Sequence, residues 1–292
     1  MKPVPSSQAS PQVKISYDKI RDAIGLPHVP IFFTYLGAFP EYLEYITDQV
    51  VENLQSHSFK TLSHDIGVDI QSIIAATLPI SDKMQEWKLL HKFSPEYFYF
   101  QKDTLRNYEL NLQLAFIFIA LREAVKGWAV AAKKLPETAG RQTNHFETAT
   151  EEDLIFGNFI ATATQPTEMR TANINSAQNA GIMLHENALA KGSNSGIVQN
   201  LLPQYIRLCQ LSFMGLLKNE QTLFTRVRLE KIILSSIDLL PHFIVSPINV
   251  VYQLTAQYPE FYELIHLLSE KFPTLAMHRA MFSGYMNTSK PS

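Results

Sequence analysis

The residues whose types could do chemistry are scattered through this chain. Nine histidines, His28, His57, His64, His91, His145, His185, His242, His266 and His278, include no HExxH motif and no pair four residues apart. Two imidazoles one helical turn apart are the usual way a helix holds a metal, so no metal site is expected, and no cofactor. Gly192-Ser193-Asn194-Ser195-Gly196 is glycine-rich, but it lacks the lysine of a phosphate-binding loop and follows no strand pattern. Nor is it the GxSxG elbow of a serine nucleophile. The plainer reading is a helix start with Ser193, Asn194 or Ser195 as N-cap. Pro40, Pro95, Pro203 and Pro259 each precede an aromatic or apolar helical segment, which suits proline in the first turn of a helix. Such starts present free N–H groups and a positive dipole end, both fit for a carboxylate. Tyr97 and Tyr258 stand beside them and could offer hydroxyls to the same anion, or could simply pack.

The elements that would position these residues occur twice. Phe39-Pro40-Glu41-Tyr42-Leu43 reappears as Leu202-Pro203-Gln204-Tyr205-Ile206, and Phe93-Ser94-Pro95-Glu96-Tyr97 as Gln257-Tyr258-Pro259-Glu260-Phe261. The segment ending at Pro79 likewise has a partner ending at Pro241. Pro203 lies 163 residues after Pro40, Pro241 lies 162 after Pro79, and Pro259 lies 164 after Pro95. Offsets that close indicate an internal duplication. A duplicated chain predicts a pseudo-symmetric pair with a ligand cleft where the repeats meet.

Apolar residues at three- and four-residue steps predict helices. Examples are Ile15, Ile20 and Ile24, ending near Gly25, and Leu43, Ile46, Val50, Val51 and Leu54. The run Leu112 to Leu121, broken only by Gln113, predicts a central buried helix within 105–132, and 206–217 and 223–240 carry similar patterns. Strand alternation is hard to find, so the fold class is all-α. The divisions expected are a flexible tail over 1–14, a first helical repeat over 15–132, a linker over 133–176 and a second repeat over 177–286. Of the 292 residues 46% are hydrophobic and 18% charged, with a net charge of −2 and a single cysteine, Cys209. With no basic cluster, no nucleic-acid partner is expected; with no apolar run long enough for a bilayer, no membrane contact either. One cysteine excludes an internal disulfide, and the chain reads as cytoplasmic.

Tyr17-Asp18-Lys19-Ile20-Arg21, Leu26-Pro27 and Ala38-Phe39-Pro40-Glu41-Tyr42-Leu43 resemble the first repeat of the group I 2-haloacid dehalogenases, the DehI family. The resemblance implies an all-α pair of related repeats and hydrolysis of a small 2-halocarboxylic acid. In that chemistry an aspartate-activated water attacks the halogen-bearing carbon directly and inverts it, with no covalent intermediate. Counting back from Pro203, the aspartate position is Ser195, with Asn194 beside it. The asparagine that helps place the water corresponds to Ser94; the pocket tyrosines correspond to Tyr97 and Tyr258, and two wall positions to His28 and Ile31.

The resemblance thus keeps the pocket tyrosines and changes both water-handling residues. A serine cannot accept the water's proton at neutral pH, and general-base help is worth about 10²–10⁴ in rate. The nearest bases in sequence are His185 and Glu186. An active hydrolase, a silent relative that binds a small carboxylate or a protein partner, and an unrelated helical interaction protein all stay open, as does the oligomeric state.

Overall fold

The computed structural model describes residues 1–126 and 201–288. The predicted linker, Asn194, Ser195, His185 and Glu186 lie outside the described residues. Among the described residues the secondary structure is helical, with no strand. No helix there is long and apolar enough to cross a membrane, and no group of three or more His, Cys, Asp or Glu could hold a metal ion. Helices α1 (Pro11–Ile24), α2 (Ile31–Leu36), α3 (Pro40–Gln55), α4 (His57–Thr77), α5 (Asp82–His91) and α6 (Pro95–Val125) come first. Then follow α7 (Leu201–Leu217), α8 (Glu220–Leu234), α9 (Ile248–Gln257), α10 (Phe261–His266) and α11 (Phe272–Asn287). The described chain divides into two compact units. Unit 1 takes 1–66, 112–126 and 230–277; unit 2 takes 67–111, 201–229 and 278–288. Both draw on both halves of the sequence.

In unit 1, α1 starts at Pro11 because the Ser10 hydroxyl accepts from the Val13 amide at 3.3 Å. It stops at Gly25, whose φ of 71° admits the left-handed turn. Helix therefore occupies part of the stretch expected as a tail, and Val4 and Ala9 ahead of it are buried. The buried stripe is Val13, Tyr17 and Ile20, while Ile15 is 60% exposed. Two residues on from Val13, Ile15 falls about 200° around the helix and faces out. In α3 the expected Leu43, Ile46, Val50 and Leu54 are buried, and Val51 of the same stripe is half-buried.

Polar side chains of α3 also hold the irregular segment between α8 and α9. Asn53 donates from Nδ2 to the His242 carbonyl at 2.6 Å, the Val245 amide donates to Gln49 Oε1 at 2.7 Å, and Tyr42 and Ser246 share a hydroxyl bond at 3.0 Å. That segment has no ladder of its own, so the side chains satisfy its backbone instead. The pattern over 223–240 predicts one helix, but α8 stops at Leu234. The hydroxyls of Ser235 and Ser236 both donate to the Ile232 carbonyl, at 2.8 and 2.9 Å, and so compete for a helical acceptor.

A close approach fixes the α1–α2 packing. The Tyr17 hydroxyl donates to the carbonyls of Val4 (2.9 Å) and Thr34 (3.3 Å), and a Cβ added at Gly37 would lie 2.0 Å from that hydroxyl oxygen. Tyr17 is fully buried and cannot swing aside. Gly37→Ala is therefore expected to cost about 1–3 kcal/mol in urea denaturation. Tyr17→Phe should restore part of that loss; additive costs in the double variant would rule the clash out.

In unit 2, α5 packs against α7, and the end of α11 is tied in by polar bonds. Asn111 donates to Ser283 at 3.3 Å, Arg279 donates to Asn111 at 3.3 Å, and Thr104 donates to Asn287 at 2.6 Å. Tyr285 packs on Phe213 (ring centroids 5.6 Å apart) and bonds Ser212 at 2.9 Å.

Candidate active site

Ser94 caps α6: its hydroxyl accepts from the Tyr97 amide at 3.1 Å, and Pro95 opens the helix as predicted. With that oxygen occupied, the Ser94 proton can still be donated, so the residue can orient a water but not deprotonate it. The cap brings the Tyr97 ring inward, to 6.0 Å from Trp87 of α5 and 6.2 Å from Phe100. Trp87 stacks on Tyr205 of α7 at 4.3 Å, and Phe100 meets Tyr205 edge-on at 5.1 Å. Two donors in this cluster lack an acceptor among the described residues. The buried Trp87 Nε1 has no partner, and the Tyr97 hydroxyl accepts from Gln101 Nε2 at 3.3 Å but gives its own proton to no described group. Burial raises the Tyr97 pKa, with Gln101 opposing, so it stays a neutral phenol and a donor.

Lys88, next in sequence to Trp87, is 6% exposed and donates to the Thr288 carbonyl. Burial pushes its ammonium down to about 8, with Cys209 opposing, and most of it remains charged at neutral pH. Burial also pushes the Cys209 thiol up to about 12, which leaves it protonated and non-nucleophilic. The result is an apolar region with two free donors and one positive charge, a setting for an acceptor-only group such as a carboxylate.

A base stands on the same helix. Asp103 is half-buried, and burial pushes its carboxyl up to about 6, against the opposing charges of Arg106 and Lys102. Asn107, one turn on, is 3% exposed, and its Nδ2 is buried without an acceptor. Phe100, Asp103 and Asn107 follow at steps of three and four, which lines them along one edge of α6. A carboxylate half-ionised near pH 6 beside an unpaired amide donor is what holding and deprotonating a water requires.

Of the residues expected from sequence, Ser94 and Tyr97 are thus joined in unit 2. The other three described ones belong to unit 1. His28 is half-buried in the turn before α2, and Ile31, also half-buried, is the first residue of α2, whose Phe32 and Phe33 carry the core contacts. Tyr258 ends α9, with its ring 6.0 Å from Phe39 and its hydroxyl accepting from Gln257 at 3.3 Å. Pro259 lies in the turn ahead of α10, outside its first turn. Trp87, Lys88, Asp103 and Asn107 were not singled out from sequence; the three- and four-residue spacing of Phe100, Asp103 and Asn107 was the signal available.

No family model matches this sequence, and no curated protein does. Two solved structures match in three dimensions. One is of a D-2-haloacid dehalogenase mutant with D-2-CPA, at 13% identity and a TM-score of 0.63, covering 98% of this chain and 94% of that one. The other is of a D-2-haloacid dehalogenase with L-LA, at 13% identity and a TM-score of 0.62, covering 98% and 96%. The all-α fold of this chain is that of the D-2-haloacid dehalogenase structures.

Proposed function

We propose that this protein hydrolyses the carbon–halogen bond of a small 2-halocarboxylic acid. The fold likeness to D-2-haloacid dehalogenase over 98% of the chain carries the reading. The donors and the weakened acid of unit 2 supply chemistry that fits it. In this proposal the substrate carboxylate takes hydrogen bonds from Tyr97 Oη and Trp87 Nε1, and the Lys88 charge favours its entry. Asn107 Nδ2 donates to a water, and Asp103 accepts the water's proton. The water oxygen bonds to C2 from the side opposite the halogen, and the C–X bond breaks with its electron pair leaving as halide. A 2-hydroxy acid of inverted configuration results. Water is the only co-reactant, and no cofactor enters. In the alternative that follows the resemblance, Ser94, Ser195 and Asn194 are proposed to hold the water by donation in place of Asn107. His28, Ile31 and Tyr258, the wall positions of the resemblance, are a separate proposal.

A second reading keeps the carboxylate binding without turnover. It is favoured by the Ser94 hydroxyl being occupied as a helix cap and by serine standing where the resemblance puts the base. Halide release from racemic 2-chloropropionate and 2-bromopropionate, by wild type and by Ser195→Asp, separates the two. Turnover by the wild type supports the hydrolase. A silent wild type with an active variant supports a binder on an intact scaffold. Silence from both, with folded protein, overturns the hydrolase.

A further inference from the structure

Of the donors in the proposed site, the Trp87 indole depends most on its neighbours for direction. The torsion that joins a flat ring to a saturated carbon is broad, so α5 alone does not fix the plane in which Nε1–H points. Four rings of unit 2 lie within 6.0 Å of the indole. His91 is at 4.5 Å with the planes 46° apart, and Tyr97 and Phe100 are each at 6.0 Å, at 60° and 71°. Tyr205 is at 4.3 Å and only 23° from parallel. Of the four contacts this one is a stack, and a stack sets the plane of the ring it covers.

Tyr205 is itself held. It is fully buried on α7, which packs against α5, and Phe100 meets it edge-on at 5.1 Å. Its hydroxyl, which burial keeps protonated, donates to the Met286 carbonyl at 3.3 Å. Lys88, next to Trp87, donates to the Thr288 carbonyl two residues further on. The end of α11 thus ties down both the ring that covers the indole and the residue beside it. A hydrogen bond weakens steeply as its angle closes, so a donor that serves a ligand gains from a fixed plane. Packing alone would not call for a buried Nε1 left without a partner.

We propose that Tyr205 is a positioning residue: it fixes the indole plane of Trp87 so that Nε1 donates to a carboxylate, with the end of α11 as its anchor. The inference rests on the carboxylate reading of the site and gives a role to a residue that reading leaves without one. Its effect falls on affinity and passes through Nε1.

The test is a double-mutant cycle on the full chain, read by calorimetric titration with propionate, which carries the carboxylate but no halogen to lose. Trp87→Phe removes the donor, keeps a ring for the stack, and should weaken binding about three- to tenfold. Tyr205→Leu removes the stack and should weaken it by a similar factor. Tyr205→Phe keeps the stack, loses the Met286 bond, and should fall between wild type and Tyr205→Leu. With Trp87→Phe already present, neither change at Tyr205 should weaken binding further. If Tyr205→Leu fails to fold, the Tyr205→Phe cycle decides alone. Losses that add, or Tyr205 variants that bind like wild type while Trp87→Phe does not, overturn the positioning role and leave the carboxylate reading standing. A wild type that does not bind propionate, or a Trp87→Phe that binds it as well as wild type does, overturns that reading and the proposal together.

Discussion

Replacing Asp103 by asparagine is expected to lower halide release by about 10²–10⁴, the usual worth of a general base. Asparagine keeps the size and hydrogen-bonding shape of the carboxyl but cannot take a proton, so substrate affinity should change little and the loss should fall on kcat. The wild-type pH profile gives an independent reading. A base must be ionised to act, and burial holds this carboxyl near 6. The rate should therefore climb about tenfold per pH unit below 6 and level off above it, whereas an ordinary exposed aspartate would already be level near 4. Stability should move the other way. A carboxyl whose pKa is raised by folding favours the folded state below its unfolded value near 4, and that contribution is lost as pH rises through 6. At pH 8 Asp103→Asn should be at least as stable as wild type, which separates a catalytic role from a structural one. Full activity in the variant, or a profile that levels near pH 4, would remove Asp103 from the reaction.

Local rules carried the reading of this chain as far as they apply. The stop signal at Gly25 and the stripe Leu43, Ile46, Val50 and Leu54 depend on neighbours within a turn or two, and both are visible in sequence. Ile15 misleads because apolar spacing fixes a period but not which phase faces the core; Tyr17, with a hydroxyl bonded to Val4 and Thr34, sets that phase. The break of α8 at Leu234 depends on where two serine hydroxyls turn, which composition does not reveal. The same limit applies to the candidate site. Tyr97 was legible from the proline before it, while Trp87 gains meaning only when Tyr205, more than a hundred residues on, stacks against it. Asp103 looks like any surface aspartate until its burial is known. Resemblance to a family placed the base by counting back from Pro203; burial and an unpaired amide point to α6.

The largest loss of stability is expected from Phe118→Ala. Phe118 is fully buried in the predicted central run, with Phe32 at 4.9 Å and Phe33 and Phe272 each at 5.5 Å. Phe32 and Phe272 also meet at 5.9 Å, so the three rings form a closed triangle with Phe118 at one corner. Truncation removes the ring's transfer free energy and leaves a cavity whose walls, themselves ring-against-ring, cannot collapse into it. About 3–5 kcal/mol is the cost of such a change, and the lost edge contacts lie within that figure. Phe118→Leu refills part of the volume and should cost clearly less. The control is Phe93, the same residue type but 91% exposed, where alanine should shift stability by no more than about 0.5 kcal/mol. Urea denaturation of the three variants reads the order directly. If Phe118→Ala cost no more than Phe93→Ala, the aromatic triangle would not be the core of unit 1, and the central run would need another role.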